Sequence, residues 1–405
     1  MNILFLSRWF PFPANNGSKL RIANLLRQLR RNHQIDLVSF TAPGERIDMD
    51  EAGAICRTVA VVPYQPFQPD QTRSLAGLLS VTPRSVQATY SHALQMEADR
   101  QVANAAPDLV IASQIDMIPY VRSQWEIPAI LEELELTTLY EQYTAAATSL
   151  ARLRYGLTWV KVRRYLAQVL PRFAACTVAS GQELGMIRQA VPGYRGHLRV
   201  VPNGVDLQRY AGDFGPLQPG SVIYSGAVTY AANRDAVDFF AAQVFPAVRA
   251  AVPNATFSVT GATGDVPIAA LQAQAGVRFT GYVDDVRPIL AQSMVSVIPL
   301  RIGGGTRLKL LESAALGTPV VATRKGAEGV DFIAGRDILI ADDAAEFCRA
   351  VADVLTKPAL RDALGRSARA AVARYDWSQL ACHLLELVDT VVFDENRTRL
   401  AGQRS

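Results

Sequence analysis

The chain is poor in the side chains that build metal and redox centres. Its 405 residues hold four cysteines and four histidines. Cys56, Cys176, Cys348 and Cys382 form no CxxC pair, and His33, His92, His197 and His383 are equally dispersed. That spacing offers no metal-ligand set and no disulfide framework, and it fits a reducing cytoplasm. Long apolar runs are missing too, since none reaches the roughly 18 residues needed to cross a bilayer. The opening MNILFLSRWFPF has an apolar stretch without a basic segment before it or a small-residue cleavage site. It therefore reads as a first strand and not as a leader. An excess of either charge is lacking as well. Lys and Arg total 41 against 37 Asp and Glu, a net charge of +4. This is too mild a balance for a nucleic-acid binder, yet it is compatible with phosphorylated ligands or anionic lipid.

What the chain does have is 49% hydrophobic residues, ordinary for a globular protein and enough for two separate cores at this length. Short buried-strand patterns alternate with helical spacing throughout. In the first half they fall at 2–7, 34–40, 58–62, 109–112, 129–131 and 175–179. The second half has them at 221–226, 256–261, 277–280, 295–300, 319–323 and 338–341. Such alternation predicts doubly wound α/β domains with ligands at the carboxyl ends of the strands. The predicted division is 1–205 and 206–377. A last helix, from 378 to about 393, carries Leu380, Leu384, Leu387, Val388 and Val391 at helical spacing. It needs an apolar partner, and packing back on the first domain supplies one.

The most informative stretch is 295–330, VSVIPLRIGGGTRLKLLESAALGTPVVATRKGAEGV. It reads as strand, glycine turn, helix and strand. Gly303, Gly304 and Gly305 with Thr306 lie between a strand end and a helix start, where backbone N–H groups can face an anion. Arg301, Arg307 and Lys309 crowd the same turn and suit a diphosphate. Glu312 sits farther along the helix, leaning toward that mouth, and is placed to accept from sugar hydroxyls. The plainer alternative is a tight turn with Glu312 paired to Lys309. The first half opens with a similar unit. A loop containing Gly17 leads into a helix with Ser18 as the expected N-cap and Arg21 in the first turn, either solvated or facing an anionic ligand. Asp116 follows the strand at 109–112, and Glu132 and Glu135 follow the one at 129–131. These carboxylates are acceptor-side candidates, or else the acidic first turn of the next helix. Over 150–170, a helix carries Arg152, Arg154, Lys161, Arg163 and Arg164. It is either a solvated face or a weak contact with anionic lipid.

With these residues in place, the whole chain resembles glycosyltransferase family 4. The segment Val201-Pro202-Asn203-Gly204-Val205-Asp206 is similar to that family's interdomain signature, and 305–319 to its donor-binding segment. Within the family it resembles the subgroup reading GGGTR-x-K-x-LE, associated with exopolysaccharide and cell-surface glycan synthesis. The resemblance implies a GT-B fold, two Rossmann-like domains facing a cleft. It also implies a nucleotide-sugar donor held mainly by the second domain, a glycan or lipid-linked acceptor and retention of anomeric configuration. No metal or other cofactor is expected, because the amides of Gly304, Gly305 and Thr306 with Arg307 and Lys309 can hold the departing charge. Glu312 matches the second glutamate of the family's E-x7-E pattern, the one that binds the donor ribose. The first falls on Gly304. The family's Arg and Lys after the first strand of the second domain are missing from 226–230, and the histidine of many relatives is missing from the loop of Ser113, Gln114 and Asp116. Arg307 and Lys309 are the expected replacements that hold the diphosphate. A nicotinamide enzyme using Arg324 fails on Leu308, which stands at the third glycine position of G-x-G-x-x-G. A sugar-nucleotide epimerase and a catalytically silent binding protein are the remaining alternatives.

Overall fold

The computed structural model describes residues 1–68, 80–146, 148–303 and 307–402. The chain forms two compact units, Met1–Pro202 together with Trp377–Ser405, and Asn203–Asp376. Each is built on one parallel sheet.

In the first unit the strands are β1 (Asn2–Ser7), β2 (Gln34–Thr41), β3 (Thr58–Pro63), β4 (Leu109–Ser113), β5 (Ala129–Glu132), β6 (Ala175–Val178) and β7 (His197–Val200). They lie in the order β3-β2-β1-β4-β5-β6-β7. Consecutive residues such as Leu4, Phe5 and Leu6, or Val110, Ile111 and Ala112, are completely buried, the mark of strands covered on both faces. Helix α1 (Gly17–Leu29) follows β1 and buries Ile22, Leu25, Leu26 and Leu29. Its N-cap is Asn16, whose side chain accepts from the Lys19 amide at 3.0 Å, and not the expected Ser18. Asn16 is the residue with extended backbone (φ −146°), so its oxygen is the one that can turn toward the first free amides. Two further helices, α2 (Thr137–Thr144) and α3 (Ser149–Val169), pack side by side.

The second unit holds β8 (Ser221–Ser225), β9 (Thr256–Thr260), β10 (Val277–Gly281), β11 (Val295–Ile298), β12 (Val320–Ala322) and β13 (Leu339–Ile340), ordered β10-β9-β8-β11-β12-β13. After β8 comes α4 (Ala231–Phe239). It runs through a π-helical turn, Phe240–Val244, into a further helical stretch, Phe245–Ala251. Phe240, Phe245 and Phe257 pack together there with their rings tilted, the Phe240 and Phe257 centroids 4.6 Å apart. Helix α5 (Leu308–Leu316) ends on Gly317, whose φ of +75° is a left-handed cap that only glycine takes up without strain.

The terminal helix α6 (Trp377–Gly402) belongs to the first unit and buries Leu380, Leu384, Leu387, Val388 and Val391 there, alongside α1 and β7. It runs about nine residues beyond the expected end at 393. The unit boundaries fall after Pro202 and after Asp376. Both differ slightly from the expected 205 and 377, because the Val205 amide donates to the Tyr375 carbonyl at 2.9 Å and Val205 bridges Asp376. Those bonds draw 203–206 into the second sheet's unit.

Candidate functional site

In the second unit the strand order reverses between β8 and β11, and the loops leaving their carboxyl ends open side by side. Such a switch point is where an open parallel sheet holds ligands. Two glycines shape it. A Cβ at Gly226 would come within 2.9 Å of both Asn233 Nδ2 and Lys309 Nζ, and one at Gly303 (φ +94°) would meet Ala232 Cβ at 3.3 Å. Both have a positive φ, so a side chain at either position would strain the backbone and crowd these neighbours. Gly304, Gly305 and Thr306, expected to offer amides to a diphosphate, lie outside the described residues.

Lys309 stands in the first turn of α5 with its ammonium beside Gly226. Its Nζ donates to the Tyr224 hydroxyl and to Asn233 Oδ1, each at 2.8 Å, and sits 4.3 Å from the centre of the Tyr224 ring. Burial, reinforced by the neighbouring Arg307 charge, pushes its pKa down to about 7. Arg307 is only 8% exposed. Its NH2 donates to the Gly303 carbonyl at 2.5 Å and to the Lys325 carbonyl at 3.2 Å, and lies 3.6 Å from Glu328. One guanidinium thus ties together the loops after β11 and β12. The expected convergence of three cations is not what forms. Arg301 instead turns aside to Asp235 at 2.5 Å and lies over Phe239. An exposed arginine gains more from a bidentate carboxylate than from a place beside two like charges.

Glu312 is half-buried, and its partner is Tyr210, whose hydroxyl donates to Oε1 at 2.7 Å. Burial raises the Glu312 pKa, opposed by that hydrogen bond and by the Lys309 charge. Among the described residues no donor reaches Oε2. The alternative pairing of Glu312 with Lys309 is excluded, since the ammonium is committed to Tyr224 and Asn233. Tyr210, Tyr224 and Asn233 were invisible to sequence reasoning, because they come from separate segments and carry no spacing signal. Arg324 is 83% exposed and pairs with Asp342, far from the role a 2′-phosphate would give it.

The first unit has its own switch point, between β1 and β4. Arg8 after β1 meets Asp116 after β4 at 2.7 Å, with burial raising the Asp116 pKa. Arg21, expected either in water or against a ligand, does neither. It is fully buried, its Nε donating to Glu132 Oε1 at 2.7 Å and its NH2 lying 2.6 Å from the same oxygen, while Ser113 Oγ donates to Glu132 Oε2 at 2.9 Å. A guanidinium with no water must find an internal anion, and Glu132 at the end of β5 is that anion. Nor do Glu132 and Glu135 form a helical first turn, since α2 begins only at Thr137. Glu135 is exposed and accepts from Thr138. Gly17 opens α1 next to its Asn16 cap. Sequence reasoning passed over Glu133, which has a left-handed backbone (φ +57°) and accepts from Gln114 Nε2 at 3.0 Å. Gln114 is itself at φ +73°. Burial raises the Glu133 pKa despite Arg21 lying 3.5 Å away.

Two Rossmann-like parallel-sheet units in succession constitute a GT-B fold, and solved structures of that class superpose on the chain. A sucrose-phosphate synthase from Thermosynechococcus elongatus matches with a TM-score of 0.69 at 17% identity, covering 96% of this chain and 99% of that one. HepE of Anabaena, solved with UDP and glucose, matches with a TM-score of 0.65 at 15% identity over 96% of this chain and 99% of its own. Residues 219–357, inside the second unit, match the family model described as Glycosyl transferases group 1. Curated relatives are phosphatidyl-myo-inositol mannosyltransferases. That of Mycobacterium leprae is 31% identical over 148 residues, 33% of this chain and 38% of the relative. The Mycolicibacterium smegmatis protein is 30% identical over 205 residues, 47% of this chain and 51% of the relative. The matched part thus spans about half, or less, of the length of these relatives.

Proposed function

We propose that the protein is a retaining glycosyltransferase that moves a sugar from a nucleotide-sugar to a glycan or lipid-linked acceptor, in polysaccharide or surface-glycan assembly. The observation that carries this reading is the placement of Glu312 and Lys309 on one helix at the second unit's switch point. There a carboxylate with one oxygen already fixed by Tyr210 stands one turn beyond a buried ammonium. The carboxylate suits ribose hydroxyls and the ammonium suits a diphosphate, and a nucleotide-sugar presents both.

In the transfer, the acceptor hydroxyl attacks the anomeric carbon as its bond to phosphate oxygen breaks, and the hydroxyl proton passes to the departing diphosphate. Positive charge grows on the sugar while negative charge grows on the leaving group. Lys309 supplies the compensating charge, Arg307 holds the loops that frame it, and no metal is required. Preorganised donors of this kind are worth a few kcal/mol each, roughly 2.7 to 4 where measured for an oxyanion. Same-face attack needs no enzymatic base, in keeping with a site built from one glutamate and two cations. Solved neighbours of the same fold include proteins bound to UDP-glucose and to UDP-2-fluoroglucose, so uridine nucleotides are the first donors to try.

The test is incubation of purified protein with a panel of nucleotide-sugars, followed by chromatography of the products. Transfer or slow donor hydrolysis is expected. An isomerised donor would assign an epimerase, and tight binding without turnover a silent binding protein.

A further inference from the structure

Helix α3 has two apolar faces. Val162, Tyr165, Leu166 and Val169 are buried within the first unit. On the opposite side Leu150 is 78% exposed, Leu153 61%, Leu157 64% and Val160 43%. Projected at about 3.6 residues per turn, these four make one continuous stripe. Arg164 falls within it. Arg152 and Arg163 border it on one side, and Arg154 and Lys161 on the other. All four arginines are exposed, and not one of the 21 residues of α3 is acidic. Beside the stripe runs a groove of ≈ 560 Å³, with Tyr143, Thr148, Trp159 and Gly156 among its walls and no carboxylate in its lining. A solvated helix face has no use for four bare apolar side chains at this spacing.

A second copy of the chain is a poor occupant. Two-fold pairing along the stripe would set basic borders against basic borders, since both flanks carry cations. A surface of negative headgroups over an apolar layer matches both features together: cations stay at the headgroups while leucines reach the acyl boundary. Among the described residues no helix is long and apolar enough to cross a membrane, so such a contact lies along the surface.

We propose that α3 is a docking helix for a bilayer carrying anionic lipid, with Leu150, Leu153, Leu157 and Val160 entering the interface and Arg152, Arg154, Arg163 and Arg164 meeting the headgroups. The inference goes beyond the transfer reading and is independent of it, because binding to vesicles needs no donor and donor turnover needs no vesicle.

Sedimentation of the full chain with phosphatidylcholine vesicles, with and without phosphatidylglycerol, is the direct test. Binding is expected only where phosphatidylglycerol is present, and it should weaken as salt rises. Arg163→Glu with Arg164→Glu should lower the partition coefficient at least about tenfold. Leu153→Ser with Leu157→Ser should lower it comparably while leaving the thermal midpoint and any donor turnover unchanged. In a separate variant, Leu157→Trp, fluorescence should shift to the blue on anionic vesicles. The proposal is overturned by absence of binding at low salt, by full binding of either double variant, or by a tryptophan that stays in water. A leucine-dependent dimer in light scattering would overturn it in favour of a second copy.

Discussion

The Tyr210 hydroxyl donates to Glu312 Oε1 at 2.7 Å, joining the segment that opens the second unit to the middle of α5. The bond fixes the carboxylate's rotamer before any ligand arrives. It also sets what each substitution should do. Glu312→Gln keeps the shape, but the amide turns one of its two ends into a donor and loses the charge. Charge-assisted hydrogen bonds contribute about 1.5 to 3 kcal/mol, so donor affinity should fall tenfold or more with the fold intact. Tyr210→Phe should weaken it less, because the carboxylate remains charged and only its orientation is loosened. Calorimetric titration with the preferred nucleotide checks both, and unchanged affinity in Glu312→Gln removes the assigned role.

Lys309 makes the site sensitive to pH. Its ammonium is pushed down to about 7 by burial and by Arg307. In the unfolded chain it keeps its proton up to its ordinary value near 10.5. Between those limits the unfolded chain binds more protons, so this residue's contribution to stability rises with pH through the window and is lost as pH falls toward 7. Diphosphate binding has the opposite sign, since it favours the charged form. Nucleotide affinity should decrease from about pH 6.5 to pH 9 in the native protein and stay flat over that range in Lys309→Met. A slope equally steep in both would place the titrating group elsewhere.

The helix carrying Lys309 and Glu312 and the alternation of strands were legible because each is a local pattern. Period-two and period-3.6 spacing are properties of neighbouring residues. What was not legible is where cations go once the chain has folded. Arg301, Arg307 and Lys309 are close in sequence, yet they end on Asp235, on the Gly303 and Lys325 carbonyls, and on Tyr224 with Asn233. Those partners come from segments up to 85 positions away and announce nothing in spacing or composition. The same holds for Arg21 and Glu132, which are 111 positions apart. Ser18 is expected as the cap and Asn16 is the cap, because both are good capping residues and only the backbone angle decides between them.

The buried pair of Arg21 and Glu132 should be costly to break from one side only. Arg21→Met strands the Glu132 carboxylate at a cost of about 3 to 5 kcal/mol, and Glu132→Leu, which leaves the guanidinium only its longer contact with Glu133, should cost somewhat less. Replacing both with apolar residues of similar size should restore much of that loss, since no uncompensated charge stays buried. Urea unfolding of the two single variants and the double variant measures the difference. If the double variant is merely the sum of the singles, the two groups do not depend on each other as their geometry requires.

Helix α6 offers a test of how the units hold together internally. Its residues Leu384, Leu387 and Val388 are essentially without solvent exposure, and they belong to the first unit although they follow the second in sequence. The unit therefore has a core completed by a helix that follows the second unit in sequence. Leu384→Ala and Leu387→Ala each remove buried methyl groups and leave a cavity, at a cost of about 2 to 5 kcal/mol. The loss should appear in the first unit alone. Hydrogen exchange followed by mass spectrometry should show faster exchange in β1, β2 and α1 while β8, β11 and α5 keep their protection. Loss of protection in the second unit's strands instead would mean that α6 is energetically part of both.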